Sequence, residues 1–224
     1  VVPPTSSHRD ALKKWFGFDD FRHHQSQVVQ AALAGRDSAV FWATGNGKSL
    51  CYQLPALASG RTVYVVSPLI SLMHDQVLKL NATAGRGRTK LACYLGSAQL
   101  DPAVEERALA GSYALVYVTP EKLATGFLER LAERHRQSPI MMLAVDEAHC
   151  VREWGHDFRP DYRNLGRFRQ LLPDVPIMAL TATAMPRVRS DILASLGLRE
   201  PRISAQARFR PDRALSCERR AGSG

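Results

Sequence analysis

SAVFWATGNGKSL, residues 38–50, is an apolar run that ends in a glycine-rich turn and resumes as Lys-Ser-Leu. The run SAVFWA (38–43) has the composition of a strand buried on both faces. The turn ATGNGKS (43–49) has the parts an anion-binding loop needs. Gly45 and Gly47 permit dihedrals and a close approach that a side chain would block. Backbone N–H groups then face the anion, with a helix N-terminus behind them. Lys48 can reach the β- and γ-phosphates of a nucleotide, and Ser49 can hold Mg²⁺. Thr44, Gly45, Asn46, Gly47, Lys48 and Ser49 are therefore the candidate phosphate-binding residues. The strict GxxxxGK[ST] spacing fails, because Trp42 stands at its first glycine; the shorter TGxGKS form is present. A glycine turn before an ordinary helix is the structural alternative, and Lys-Ser after the second glycine argues against it.

Outward from this stretch, short apolar runs alternate with helical patterns. Further strands are expected in RTVYVVS (61–67), KLACYL (90–95), YALVYVT (113–119), IMMLAVD (140–146) and PIMALTA (176–182). Helices are expected in QVVQAALAG (27–35), closing at Gly35, and in GKSLCYQLPALASG (47–60), kinked or ended by Pro55. LISLMHDQVLKL (69–80), PAVEERALAG (102–111), DYRNLGRFRQLL (161–172) and PRVRSDILASLG (186–197) complete the set. The alternation predicts an α/β fold, a mainly parallel sheet with right-handed crossovers and helices on both faces.

IMMLAVDEAH (140–149) ends its strand in two carboxylates. Asp146 can bind Mg²⁺ directly or through water, and Glu147 can orient and deprotonate an attacking water. Phosphoryl transfer asks a protein mainly for positioning and charge stabilisation. In a parallel sheet the strand ends converge on one crevice, so Lys48 and Asp146 can meet there. Lys48, Asp146 and Glu147 are the candidate catalytic residues; Ser49 and Asp146 are the candidate metal ligands. A solvated acidic strand end is the alternative for the pair alone.

The 224 residues are 45% hydrophobic and 23% charged, ordinary globular values that exclude collagen-like and disordered classes. The longest apolar run, IMMLAV (140–145), is far short of the ~20 residues that span a bilayer, so no membrane partner is expected. Cys51, Cys93, Cys150 and Cys217 include no CxxC pair, so no zinc is expected, and they read as reduced, mostly buried thiols of an intracellular protein. The net charge of +9 suits a phosphate-rich partner, with a solvated basic face as the alternative. The opening VVPPTSSHRD carries neither an initiating Met nor a signal core, which reads as a fragment without a secretion signal. NATAGRGRT (81–89) reads as a basic loop, and the Arg-rich stretch 206–224 as a linker.

These motifs, in this order, resemble the first RecA-like domain of a RecQ-family DNA helicase, a P-loop NTPase fold, from about Phe16 to Thr183. FGFDDFRHHQ (16–25) resembles the motif before the phosphate loop; there the resemblance implies that Phe18 and Arg22 sandwich adenine and Gln25 reads its edge. His23-His24 replaces the family's usual Pro-Gly, and no partner ligands for a metal pair are visible. VVSPLISLMHDQV (65–77), YVTPEKL (117–123), VDEAHC (145–150) and LTATA (180–184) resemble motifs Ia, Ib, II and III. The resemblance makes Pro68, Ser71, Thr119 and Glu121 DNA contacts. Thr181 and Thr183 can bond across to Asp146, although threonine is also common in strands. ATG in the loop, REW (152–154) and LGSAQ (95–99) resemble the Werner-type branch, which implies a nuclear location, or a cytoplasmic one in a bacterium.

VREWGHDFRPDYRNLG (151–166) resembles the family's aromatic-rich loop. Trp154 and Phe158 can stack on unpaired bases, worth ~1–3 kcal/mol each. Arg152, Arg159 and Arg163 can meet phosphates, and His156 belongs to the coupling loop by resemblance. Polar Gly-His-Asp between the aromatics argues against the alternative of a buried core element.

The resemblance implies ATP and Mg²⁺ as cofactors and single-stranded or partly duplex DNA as partner, with 3′→5′ helicase activity. It assigns 1–205 to the ATP-binding domain and 206–224 to a basic linker toward a second RecA-like domain absent from this chain. FRPDR (209–213) partly resembles the start of that linker. The chain alone is expected to bind nucleotide weakly and hydrolyse it poorly. The alternatives are a DEAD/DEAH-type RNA helicase and a non-catalytic nucleic-acid-binding fragment.

Overall fold

The computed structural model describes residues 6–22, 24–84, 90–97, 99–151, 162, 164–182 and 185–206. Arg152, Trp154, His156, Phe158, Arg159, Arg163 and Thr183, with His23, Cys217 and the linker from residue 207, lie outside them.

The expected apolar runs each supply a strand of about four residues. These are β1 (Ser38–Phe41), β2 (Val63–Val66), β3 (Ala92–Leu95), β4 (Leu115–Val118), β5 (Met142–Val145) and β6 (Ile177–Thr181). A further strand, β7 (Arg202–Ala205), joins the edge. The strands pair in the order β3-β4-β2-β5-β6-β1-β7, and every pairing is parallel.

Alternate residues point to opposite faces, and both faces are covered. Phe41, Tyr64, Val116 and Leu143 face one core, shared with α5 (Pro102–Leu109), α7 (Leu128–His135), α8 (Asn164–Leu171) and α9 (Pro186–Ser195). Val40, Val65, Tyr117 and Ala144 face the other, beneath α2 (Gln25–Leu33), α3 (Leu50–Ser59) and α4 (Ile70–Thr83). Helix α1 (Ser6–Phe16) lies outside α2 and α3, anchored by Leu12 against Val29, Leu50 and Leu54. A short turn, α6 (Pro120–Lys122), leads through a break at Gly126 into α7.

Several boundaries differ from expectation for local reasons. The first strand stops at Phe41 because the carbonyls of Trp42 and Ala43 turn to accept from Lys48 Nζ, at 3.0 and 3.4 Å. Residues 47–49 belong to the turn, so α3 begins at Leu50. It passes through Pro55 to Ser59 because Leu50–Leu57 are all buried, and packing outweighs the lost backbone bond. Helix α2 ends at Leu33, two residues before the expected Gly35, which follows the capping Ala34: its φ of +71° lets Gly35 N–H and Arg36 N–H return to the carbonyls of Ala32 and Ala31.

Candidate functional site

Because all strands run parallel, their C-terminal ends share one edge. That edge carries the glycine turn after β1, Pro68 after β2, Thr119 after β4 and Asp146 after β5. Strands β5 and β1 are separated only by β6, so their ends lie about 10 Å apart, within reach of a lysine.

The turn is held from behind by Gln25, which is buried. Gln25 Nε2 donates to Gly47 O (3.1 Å), while its Oε1 accepts from Arg22 N–H (2.8 Å). One side chain thus ties the Phe18–Arg22 segment to the phosphate loop. Gly47 has a φ of +72°, which favours glycine, and a Cβ there would fall 2.4 Å from Gln25 Nε2 and push that amide off its bond to Gly47 O. Ser49 is the first boundary residue of α3, but its hydroxyl does not cap that helix. Asn46 Nδ2 donates to Gln206 Oε1 at 2.6 Å, and Trp42 Nε1 to Ser204 Oγ at 3.1 Å, which fastens the loop to β7 and the residue after it.

Next to the loop opens a cavity of about 190 Å³. Phe18, Arg22, Gln25, Gly47 and Ser49 line it, joined by Phe16, Asp20, Leu50 and Gln53. The Arg22 guanidinium sits 5.8 Å from the centre of the Phe18 ring, and that ring is 47% exposed, so a flat group can enter beside it. Aromatic and guanidinium planes suit a purine.

Asp146 is partly buried. Its backbone N–H donates to Val66 O (2.9 Å), and its Oδ1 accepts from Glu147 N–H (3.0 Å). Burial and the neighbouring Glu147 raise its pKa to about 6, against the pull of that hydrogen bond and of Lys48 and His149. Lys48, on the turn after β1, is near enough for its charge to lower the pKa of both Asp146 and Glu147 at the end of β5. Glu147 has a φ of +48°, a left-handed conformation that costs a non-glycine residue about 1 kcal/mol or more.

His149 completes the group. Its Nδ1 lies 3.2 Å from Glu147 Oε2 and 2.9 Å from Thr181 Oγ1. The hydrogen bond from His149 holds the Glu147 carboxyl below the usual carboxylate range. The Cys150 sulfur and the Glu147 carboxylate raise the His149 pKa to about 10. Thr181, fully buried at the end of β6, therefore reaches the acidic pair through His149. His149 was legible in the sequence as part of VDEAHC but had no assigned role there; its distance from Thr181 in the chain hid the contact. Gln53 and Asp20 were missed altogether, since nothing local marks them.

The expected nucleic-acid residues divide by environment. Ser71 and Glu121 are exposed and Pro68 is half-buried. Thr119 is buried, and its Oγ1 accepts from Lys122 N–H at 3.3 Å, capping α6. Leu69 and Ile70, 43% and 40% exposed, add an apolar surface beside Ser71.

Comparison with known proteins adds a family and a frame. The family model described as DEAD/DEAH box helicase matches residues 22–192. The chain is 48% identical over 214 residues to the ATP-dependent DNA helicase Q-like SIM of Arabidopsis thaliana, covering 90% of this chain and 24% of that protein. It is 44% identical to the ATP-dependent DNA helicase RecQ of Pasteurella multocida (94% and 33% covered). It is 42% identical to the bifunctional 3′-5′ exonuclease/ATP-dependent helicase WRN of Mus musculus (98% and 15% covered). The last two identities are nearly equal, so the Werner-type branch rests on the motifs alone. The chain spans between 15% and 33% of the length of these relatives. Among solved structures, the DUF1998 helicase MrfA bound to DNA and AMPPNP shares the fold, with a TM-score of 0.64 at 21% identity, over 91% of this chain and 29% of that one.

Proposed function

Since the chain belongs to the DEAD/DEAH box helicase family, as a first RecA-like domain of the RecQ type, we propose that it is the ATP-binding, single-stranded-DNA-contacting half of an ATP-dependent DNA helicase of 3′→5′ polarity. The observation that carries the reading is the one sheet edge that holds both the Lys48 turn after β1 and the Asp146-Glu147 end of β5, beside a loop that Gln25 ties to the Phe18–Arg22 cavity.

The residues fit Mg²⁺. A serine hydroxyl and a carboxylate are hard oxygen donors, and Mg²⁺ is held by few protein ligands together with substrate phosphates. Burial and Glu147 make the Asp146 charge costly by itself; Ser49 and Asp146 would hold the cation, whose charge would offset that cost. Bound Mg²⁺ supplies charge neutralisation at the phosphate oxygens. Lys48 exchanges its bonds to the carbonyls of Trp42 and Ala43 for the β- and γ-phosphates. Glu147, kept ionised by His149, orients the attacking water and accepts its proton. Phe18 and Arg22 flank the adenine, and Gln25 sets the position of both the base and the loop.

Pro68, Ser71 and Glu121 take the nucleic-acid side of that edge, with Thr119 shaping it as the cap of α6; the family resemblance adds Arg152, Trp154, His156, Phe158, Arg159 and Thr183 as contact or coupling residues, and Thr181 joins the acidic pair through His149. The partner domain is a second RecA-like unit beyond this chain, whose arginines reach the γ-phosphate. Such arginines are worth ~10³-fold or more in rate, so the 224 residues alone turn over slowly.

The test is ATPase activity of the longest natural polypeptide that contains this chain. Lys48→Ala should lower single-stranded-DNA-stimulated turnover by about two orders of magnitude or more at unchanged Tm. Retained turnover overturns the loop assignment. Stronger stimulation by single-stranded RNA than by DNA transfers the reading to an RNA helicase.

A further inference from the structure

Gln53 lies one helical turn beyond Ser49, its backbone N–H donating to Ser49 O at 3.0 Å. Its side chain is buried, yet it lines the nucleotide cavity beside Phe18 and Arg22. The amide does not end in apolar packing. Nε2 donates to Gln76 Oε1 (2.8 Å) and to Tyr117 Oη (3.0 Å). An amide NH₂ has two hydrogens, and these two acceptors use both.

The acceptors belong to the two segments that carry the candidate DNA contacts. Gln76 is in α4, whose first turn contains Ser71. Tyr117 is in β4, which runs directly into Thr119 and Glu121. Gln76 and Tyr117 also wall a second, water-sized cavity of about 10 Å³ together with Ser67 and Asp146. A continuous polar connection thus runs from the nucleotide cavity through one amide to both DNA-facing segments, passing beside the carboxylate assigned to Mg²⁺. Buried polar groups of this kind are costly unless fully paired, so their geometry is held closely.

We propose that the Gln53 amide, donating at once to Gln76 of α4 and Tyr117 of β4, is a positioning group that couples occupancy of the Phe18–Arg22 cavity to the DNA-facing edge. The proposal rests on the nucleotide and DNA sites assigned above and adds the physical connection between them. A ligand that shifts α3 moves α4 and β4 through these two bonds, and by linkage DNA on that edge changes nucleotide affinity by the same factor.

The experiment uses this chain, the nucleotide analogue AMPPNP with Mg²⁺, and a single-stranded oligo-dT. AMPPNP affinity is titrated with and without saturating DNA, and the ratio is the coupling factor, expected to be about fivefold or more. Gln76→Met and Tyr117→Phe each delete one acceptor and leave the lining of the nucleotide cavity intact. Each should hold DNA-free AMPPNP affinity within about twofold while the coupling factor falls toward one. The double variant should lose little more than either single one, as members of one network do. A purely structural role would lower Tm and weaken AMPPNP and DNA binding without changing their ratio, and that result overturns the proposal. An unchanged coupling factor in both variants, or a wild-type factor of one, overturns it as well. Failure of the wild-type chain to bind AMPPNP at all instead strikes at the functional reading beneath it.

Discussion

Burial sets the behaviour of Asp146. Its pKa of about 6 lies above the ordinary 3.8, so between these values the folded chain holds a proton that the unfolded chain has released. This contribution to stability is present at low pH and is lost as pH rises from about 4 to about 6. In chelator without nucleotide, Asp146→Asn should raise Tm at pH 7.5 and change it little at pH 4. The gain at pH 7.5 is on the order of 3 kcal/mol. The same variant should lose the Tm increase that Mg²⁺ and AMPPNP give the wild-type chain. A variant no more stable than wild type at pH 7.5 contradicts the assignment of a strained, desolvated carboxylate. Glu147 shows the complementary arrangement, its ionised form held by His149 for use on water.

The elements show where periodicity was enough and where it was not. Five of the six expected strands are buried along their length and β3 everywhere but at Tyr94, so each reads as an apolar run, and each is shorter than its run because the flanking residues turn. Strand β7 was not expected because three of its four residues are exposed at the sheet edge, and its one buried residue is the polar Ser204 rather than Ile203. Helices α1 and α7 were missed for a similar reason: each is mostly polar and buries only a narrow stripe, Leu12 in one, Leu128 and Leu131 in the other. Thr119 was legible only by resemblance, and the structure gives it a second duty as the cap of α6. Thr119→Ala should cost about 1 kcal/mol in a denaturation titration, whereas Thr119→Ser should retain most of that. Equal loss in both would place the energy in the Thr119 methyl, which packs near Gly96.

At the scale of the molecule, the edge opposite the site is closed by one carboxylate. Asp37 Oδ1 accepts from Ile177 N–H (2.7 Å), and its Oδ2 accepts from Arg199 N–H and Arg169 Nη2, both at 2.6 Å. Arg202 N–H donates to the Asp37 carbonyl at 2.8 Å. The loops entering β1, β6 and β7 and the end of α8 therefore meet at one buried point. Asp37→Ala leaves the Arg169 guanidinium, 12% exposed, without its carboxylate, and should destabilise the chain by about 3–5 kcal/mol in urea. Because this junction is remote from the crevice, AMPPNP affinity of the folded fraction should be unchanged. A loss below about 1 kcal/mol would show that the pair is replaceable by water.

The residues themselves determined the strand–loop–helix around Lys48, the acidic strand end at Asp146 and the layered parallel plan. Each of these is a local pattern: a turn that requires glycine, an apolar run that requires burial, a helix that requires a stop. Tertiary structure alone decided that His149 bridges Glu147 and Thr181, that Gln25 grips Gly47, that Gln53 meets Gln76 and Tyr117, and that Asp37 joins four segments. Those pairings arise where strands adjacent in space are distant in sequence. Hydrogen-bond partners are chosen by the sheet order, which no local pattern encodes.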